Sequence, residues 1–275
     1  MTQAYARSVN EHYAREELTG AIEAALRAAG RGLDGLAPDV LAPVDQFHTR
    51  GREATLELAR LADVGPGLQV LDVGGGLGGP ARTLAGELGC RVTVLDLTEE
   101  YCRAGAWLTT ITGLADRVTF RHGSALDMPF EAASFDIAWT QHSSMNVEDK
   151  ERLYGEIHRV LRPGGRLALH EIMAGPRESI HFPVPWAREP GLSFLRPPET
   201  IHQLLARRGF REIAWVNVTA PSLEWVRRRL AASPVPGSLG FHLLLGGDVA
   251  PMFENLLLNL EERRVCIVQA VWGRG

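Results

Sequence analysis

The chain has 275 residues, enough for one large domain with a full core, or for a domain carrying a sizeable insertion. Hydrophobic residues at 45%, charged residues at 23%, and 29 glycines with 16 prolines describe a globular chain and exclude a low-complexity one. The net charge of −4 argues against a nucleic-acid partner, because phosphate binding usually leaves a basic footprint.

In chain order, Leu18, Ile22, Ala25, Leu26 and Ala29 recur at helical spacing until Gly30 and Gly32 stop the run. Pro38 and Pro43 lead through DQFHTRG (45–51) into a second helix with Ala54, Leu58, Leu61 and Ala62 on one face, closed by VGPG (64–67). Residues 1–65 therefore read as an N-terminal helical cap. From Leu68 the period changes. LQVLDVGGG is a short apolar strand entering glycines, followed by helical ARTLAGEL and a second strand, CRVTVLDL (90–97). A helix around 101–112, the strand RVTFRHG, the strand SFDIAWTQ (134–141), the helix KERLYGEIHRVL, the turn RPGG (162–165) and the strand RLALHEIM follow. Strands alternating with helices at this spacing predict right-handed crossovers and a parallel sheet covered on both faces. After Met173 a proline-rich, aromatic segment reads as a lid. The helix PPETIHQLLARRGF and the strand REIAWVNV come next. Two helices lie within 220–262, and RVCIVQAVW (264–272) is a final strand. The expectation is a domain over 66–275 with lid insertions at about 174–198 and 220–262.

Cys90, Cys102 and Cys266 form no paired motif and suit a reducing compartment. The first residues contain no apolar signal core, and no apolar run approaches the roughly 18 residues that span a bilayer. The expectation is a cytoplasmic protein with no membrane partner. The nine histidines show no metal spacing, so no metal is expected.

The most informative segment is VLDVGGGLGGP (70–80). Gly74, Gly76 and Gly79 satisfy G-x-G-x-x-G, and Asp96 ends the next strand 20 residues after Gly76. The glycines allow close backbone approach to a ligand, and the carboxylate can hold a ribose diol. Asp72 decides against a dinucleotide. It lies at the strand tip, where a pyrophosphate would meet its charge at a cost of roughly 3–4 kcal/mol per charge pair at an effective dielectric near 20. A nucleoside with a cationic amino acid tail and no phosphate suits the site, and its carboxylate can use the helix N-terminus.

With Asp72, the glycines, Asp96, SFDIAW and LRPGG in this order, the chain resembles the class I S-adenosylmethionine-dependent methyltransferases over about 45–219 plus the last strand. VLDVGGGLGGPARTLA, DQFH and HFPVPWA look more narrowly like the small-molecule branch of sarcosine/dimethylglycine and tocopherol-type methyltransferases. The resemblance implies an α/β, Rossmann-like seven-stranded sheet, mostly parallel with the last strand antiparallel, and S-adenosylmethionine as cofactor. It implies Asp72, Gly74, Gly76 and Gly78 at the amino acid end of the donor, Asp96 and Leu97 at ribose and adenine, and Ser124, Ala125 and Leu126 at the adenine edge. Ser124 stands where many relatives carry Asp. Gln141 and His142 follow the fourth strand, where relatives line the space between cofactor and acceptor. DQFH places Phe47 and His48 over the cofactor in similar enzymes.

Methyl transfer is an in-line displacement in which the protein mainly supplies alignment and excludes water. A neutral amine needs no base in the transfer step, whereas a hydroxyl usually does. His142, Glu171 and His48 are the catalytic candidates. His142 suits a general base for an oxygen acceptor; a histidine that fixes a loop or touches substrate is the plainer reading. Glu171 either orients a cationic substrate or faces solvent at a strand end. Asn146 either contacts substrate or caps a helix before VEDK. His181, Phe182 and Trp186, on HFPVPWA, shape the acceptor pocket or simply pack the loop. Tyr13 closes over the donor or packs a helix.

The expected function is methyl transfer to a small-molecule acceptor, with an amine nitrogen slightly favoured. Oxygen or carbon of a natural product, quinone or terpenoid-like metabolite is the alternative. A nicotinamide-dependent oxidoreductase, which Asp72 opposes, and a donor-binding module without catalysis are the remaining readings. The partner expected is the small-molecule acceptor, with homo-oligomerisation left open.

Overall fold

The computed structural model describes residues 17–177, 179–232, 237–246 and 249–275. Seven strands form one sheet: β1 Gln69–Val73, β2 Arg91–Asp96, β3 Val118–His122, β4 Phe135–Gln141, β5 Leu161–Ala174, β6 Phe210–Asn217 and β7 Val265–Arg274. Their order is β3-β2-β1-β4-β5-β7-β6. Strands β1 to β5 pair parallel, and β7 is antiparallel to both β5 and β6. The seven-stranded, Rossmann-like sheet with its last strand reversed is the one expected. The predicted turn at RPGG lies inside the longer β5, where the pairing with β4 shifts register between Phe135 and Ile137.

The main helices are α1 Leu18–Ala28, α2 Gly51–Leu61, α3 Gly79–Leu88, α4 Glu99–Ile111, α5 Lys150–Val160, α6 Pro198–Arg207, α7 Thr219–Ala231 and α8 Val249–Glu261. Strand pleat sorts the core. On β1, Val70 faces α2 and α3 beside Leu58, Ala81 and Leu84, while Leu71 and Val73 face the side packed by Leu153 and Ile157 of α5 and Leu204 of α6. Parallel strands covered on both faces read as near-continuous apolar runs, which is why QVLDV and FDIAWTQ are buried almost throughout. Asp149 caps α5 by accepting the Arg152 backbone N–H at 2.9 Å.

The N-terminal region divides. α2 packs on the sheet as one of its covering helices, whereas α1 packs on α4 and on the short helical turn His242–Leu245. Residues 175–177 and 179–197 run outside the sheet, and α7 and α8 pack on each other. A third apolar cluster joins α1, α4, Trp186, α7 and α8 above the strand ends. Strand order reverses between β1 and β4, so the crevice outside their C-terminal ends is where this architecture places a ligand.

Candidate active site

A cleft with about 1150 Å³ of empty space opens at that crevice. Asp72 lies at its floor, in register with Val94 of β2 and Trp139 of β4. Its side chain is buried, and its Oδ2 has no hydrogen-bond partner. Burial, helped by the nearby charge of Asp96, raises its pKa to about 7. A Cβ at Gly75 would stand 2.5 Å from that Oδ2, so only glycine leaves room for the carboxyl group. Gly74, at φ +71°, turns the chain where a Cβ would strike Ser143 at 2.6 Å. The Ser143 hydroxyl in turn donates to the Val73 carbonyl at 2.8 Å, tying the loop after β4 to the β1 tip.

Asp96 is also buried at the end of β2. Its Oδ2 accepts the Gly76 backbone N–H and its Oδ1 that of Thr98, both at 2.8 Å. Burial raises its pKa, and these two N–H bonds act in the opposite direction. The carboxylate thus fixes the glycine turn while its remaining lone pairs face the cleft. Leu97, Ser124, Ala125 and Leu126 line the same cleft further along, where the Leu126 N–H donates to the Ser124 hydroxyl at 3.1 Å. Gly78 corrects an expectation. It caps α3 at φ +76° and faces the Phe120 ring, where a Cβ would stand at 2.7 Å; it does not line the cleft. Gly75, which the G-x-G-x-x-G spacing passes over, lines it instead.

An orphaned buried carboxylate, a glycine cradle at its edge and a second carboxylate one strand away fit a nucleoside with an ammonium-bearing tail. Asp72 would hold the ammonium, Asp96 the ribose hydroxyls, and Leu97 with Ala125 and Leu126 the adenine. Repulsion of a pyrophosphate by Asp72 reaches full strength only above pH 7, where that carboxyl is ionised.

DQFH forms the wall opposite the glycines. Asp45 pairs with Arg82 at 2.7 Å, both side chains buried, and the Gln46 amide donates to the Thr83 hydroxyl at 3.0 Å. These anchors on α3 hold Phe47 and His48 against the cleft. His48 Nε2 lies 2.9 Å from the Gly51 carbonyl, and burial lowers the pKa of its imidazole to about 4. Its proton is committed to the turn that opens α2, so His48 is a neutral wall.

His142 follows β4 in the left-handed region at φ +48°, a backbone state rarely adopted by a non-glycine residue. Its N–H donates to the His170 carbonyl at 2.9 Å. The two rings are stacked, 3° from parallel with centroids 4.7 Å apart. Burial and the neighbouring imidazoles push the His142 pKa well below its ordinary value, so the ring is neutral. Gln141 lines the cleft, its carbonyl accepting the Trp139 indole N–H at 2.8 Å while its amide nitrogen is buried without a partner.

A second pocket, with about 370 Å³ of empty space counting the open solvent at its mouth, adjoins the cleft and shares Phe47, His48 and His142 with it. Its other lining is Thr49, Met145, Ile172, Pro185, Trp186, Trp225, Phe241, Phe253 and Leu256. Phe47 meets Phe241 edge-on with centroids 4.9 Å apart, which joins the donor wall to the late helices. Trp186 is buried and lines this cavity. Its neighbours do not. His181 donates its backbone N–H to Asn259 at 2.8 Å and pairs with Glu262 at 3.1 Å, clasping the loop to α8, and Phe182 packs into the apolar cluster beneath; neither lines the cleft or the adjoining cavity. Asn146 lines the donor cleft, but its amide donates at 2.8 Å to the carbonyls of Trp186 and Leu192, so it holds the lid loop. Glu171 is neither substrate-facing nor exposed. It is fully buried on the opposite sheet face, accepts the Ser144 N–H at 3.3 Å, and is raised in pKa by that burial. Tyr13 lies outside the described residues.

Comparison with known proteins agrees with this geometry. Residues 71–169 match a methyltransferase domain family. The chain is 29% identical over 177 residues to the glycine/sarcosine/dimethylglycine N-methyltransferase of Actinopolyspora halophila, covering 64% of this chain and 31% of that protein. It is 31% identical over 189 residues to the sarcosine/dimethylglycine N-methyltransferase of Halorhodospira halochloris, covering 67% and 66%. The chain thus spans roughly a third to two thirds of the length of these curated relatives. The crystal structure of geranyl diphosphate C-methyltransferase from Streptomyces coelicolor A3(2) superposes with a TM-score of 0.70 at 18% identity over 100% of both chains, a likeness of fold. Sheet order, glycine turn and the two strand-tip carboxylates define a Rossmann-like fold with a crevice suited to a nucleoside. Together with the domain match they place the chain in the class I S-adenosylmethionine-dependent methyltransferases, with S-adenosylmethionine as cofactor.

Proposed function

We propose that this protein methylates a hydroxyl on a predominantly apolar small molecule. One observation carries the reading: the cavity that abuts the donor cleft is lined by aromatic and aliphatic side chains, and its polar lining is His48, Thr49 and His142. Among the described residues no carboxylate lines it to pair with an ammonium group, which turns the preference from the amine nitrogen expected from sequence to oxygen. S-adenosylmethionine supplies, when bound, a methyl group on a positively charged sulfur that leaves with its own electron pair. The acceptor oxygen becomes cationic as its electron pair engages that carbon, and its proton then becomes strongly acidic. A neutral His142 suffices as base even with a depressed pKa, because it acts on a proton already labilised by the developing charge. Phe47 and the late helices exclude water from the junction, which suppresses competing hydrolysis.

Carbon is the second reading. Four aromatic side chains, Trp186, Trp225, Phe241 and Phe253, line the cavity, and the sequence match includes a sterol 24-C-methyltransferase of Eremothecium gossypii. The three free cysteines suit the reducing cytoplasm as the working compartment. A panel of phenols, hydroxylated macrolides, terpenoid alcohols, isoprenoid alkenes, glycine and sarcosine, read by mass gain of one methylene with labelled donor, tests the assignment. Transfer to an apolar alcohol or phenol supports it. Efficient transfer to glycine or sarcosine alone overturns it.

A further inference from the structure

Thr49 stands at the corner where the two cavities meet, and no sequence motif marks it. Its Oγ1 lies 3.3 Å from His142 Nε2 and 3.2 Å from His170 Nε2, and it donates to the Ser222 hydroxyl at 3.4 Å. A threonine hydroxyl has one proton to give and two lone pairs to receive with. With its proton directed to Ser222, both lone pairs are free for the two imidazoles, and each ring then carries its proton on Nε2. His170 supports the same assignment. Its Nδ1 is buried without a partner, and a bare lone pair there is tolerated better than an orphaned N–H. Both rings are uncharged, since burial, with His170 and His48 beside His142 and with His48 and Arg50 beside His170, lowers their pKa values. The ring that lines both cavities, His142, is thereby left with its basic lone pair on Nδ1.

We propose that Thr49 is a positioning residue that locks His142 and His170 in the Nε2–H tautomer, so that His142 meets the acceptor with Nδ1. His170, stacked against His142, holds the ring plane from the sheet side. The proposal rests on the reading that His142 accepts the proton of an acceptor hydroxyl, and it says which atom does so. A second-neighbour contact of this kind selects a tautomer through the hydrogen bond made by the other ring nitrogen.

The test uses the full chain, free and saturated with S-adenosylhomocysteine, with nitrogen-15 imidazole resonances assigned through His142→Gln and His170→Gln. The wild type shows His142 as the Nε2–H form, and Thr49→Val shifts it toward a tautomer mixture while Thr49→Ser restores it. With the alcohol or phenol that the panel identifies, Thr49→Val lowers kcat at least tenfold, leaves KM within about twofold, and Thr49→Ser recovers most of the rate. His142 found as the Nδ1–H form in the wild type overturns the proposal, as does an unchanged tautomer in Thr49→Val. If Thr49→Val does not fold, the wild-type and Thr49→Ser spectra still decide. A locked tautomer with kcat unaffected by His142→Gln upholds the lock and overturns the base reading instead, so the two fail separately.

Discussion

The donor cleft and the acceptor cavity share a wall but are built differently. The cleft is lined mainly by consecutive runs at strand tips, 72–77, 95–98, 123–126 and 141–144, closed by residues of 44–48, and carries three buried carboxylates, Asp45 in its ion pair with Arg82, Asp72 and Asp96. The cavity is gathered from residues 47–49, 142, 145, 172, 185–186, 225, 241, 253 and 256, and it is mostly apolar. A ligand common to a whole fold family can be held by local backbone geometry. An acceptor held by side chains from distant helices can change with any of them.

Substitutions that strike one region and spare the other sharpen this contrast. The largest effect is expected for His142→Ala, which lowers kcat by roughly 10²–10⁴ while donor affinity by calorimetry stays within a few-fold; a full rate across pH removes the base. Asp96→Ala comes next. It takes away the acceptor for the Gly76 and Thr98 N–H groups and for the ribose, so donor affinity falls by about two orders of magnitude. Titration showing unchanged affinity breaks the assignment of the cleft.

Trp225→Ala, on the acceptor side only, raises acceptor KM about tenfold and leaves donor affinity unchanged, as steady-state kinetics with both substrates varied would show. Donor affinity should also rise about fivefold between pH 6 and 7, as the Asp72 carboxyl ionises through its value of about 7. The sign for folding is opposite. The folded carboxyl binds its proton more tightly than the unfolded one, so this group's contribution to stability is lost as pH rises from about 4 through 7. Donor binding should therefore raise Tm more at pH 7.5 than at pH 6, and an equal shift at both separates Asp72 from the ammonium. The smallest effect is expected for Arg229→Gln. Its guanidinium lies 4.2 Å from the Phe241 ring centroid and 4.9 Å from that of Phe253. Losing it costs about 1 kcal/mol of lid packing and raises acceptor KM only two- to threefold.

His170 and Glu171 show where reading the chain stopped. They are neighbours in the C-terminal half of β5, and of the two only Glu171 stands out as a candidate in the string of letters. Pleat sends them to opposite faces: His170 toward Thr49 and His142, Glu171 toward Ser144 and Lys150. Nothing in the local sequence says which face meets the crevice, because that depends on where α2 and α5 pack. Gly75 and Gly78 were confused for a similar reason. Both permit a tight turn, but which one lies under the ligand depends on the path of the turn between β1 and α3.

Much was nevertheless legible. Apolar strands alternating with amphipathic helices specify a parallel sheet because each element must bury one stripe or both faces, and Asp72 and Asp96 follow from their places at adjacent strand tips. The sequence by itself therefore determined the fold class and the chemistry of the donor. Only the tertiary structure shows which side chains surround the cavity proposed for the acceptor. Whether a side chain on DQFH, on the HFPVPWA loop or on a late helix reaches the donor depends on how those segments close over one another. That closure is an outcome of packing between residues more than 200 positions apart, and hydrophobic burial, being non-directional, does not specify it from local sequence.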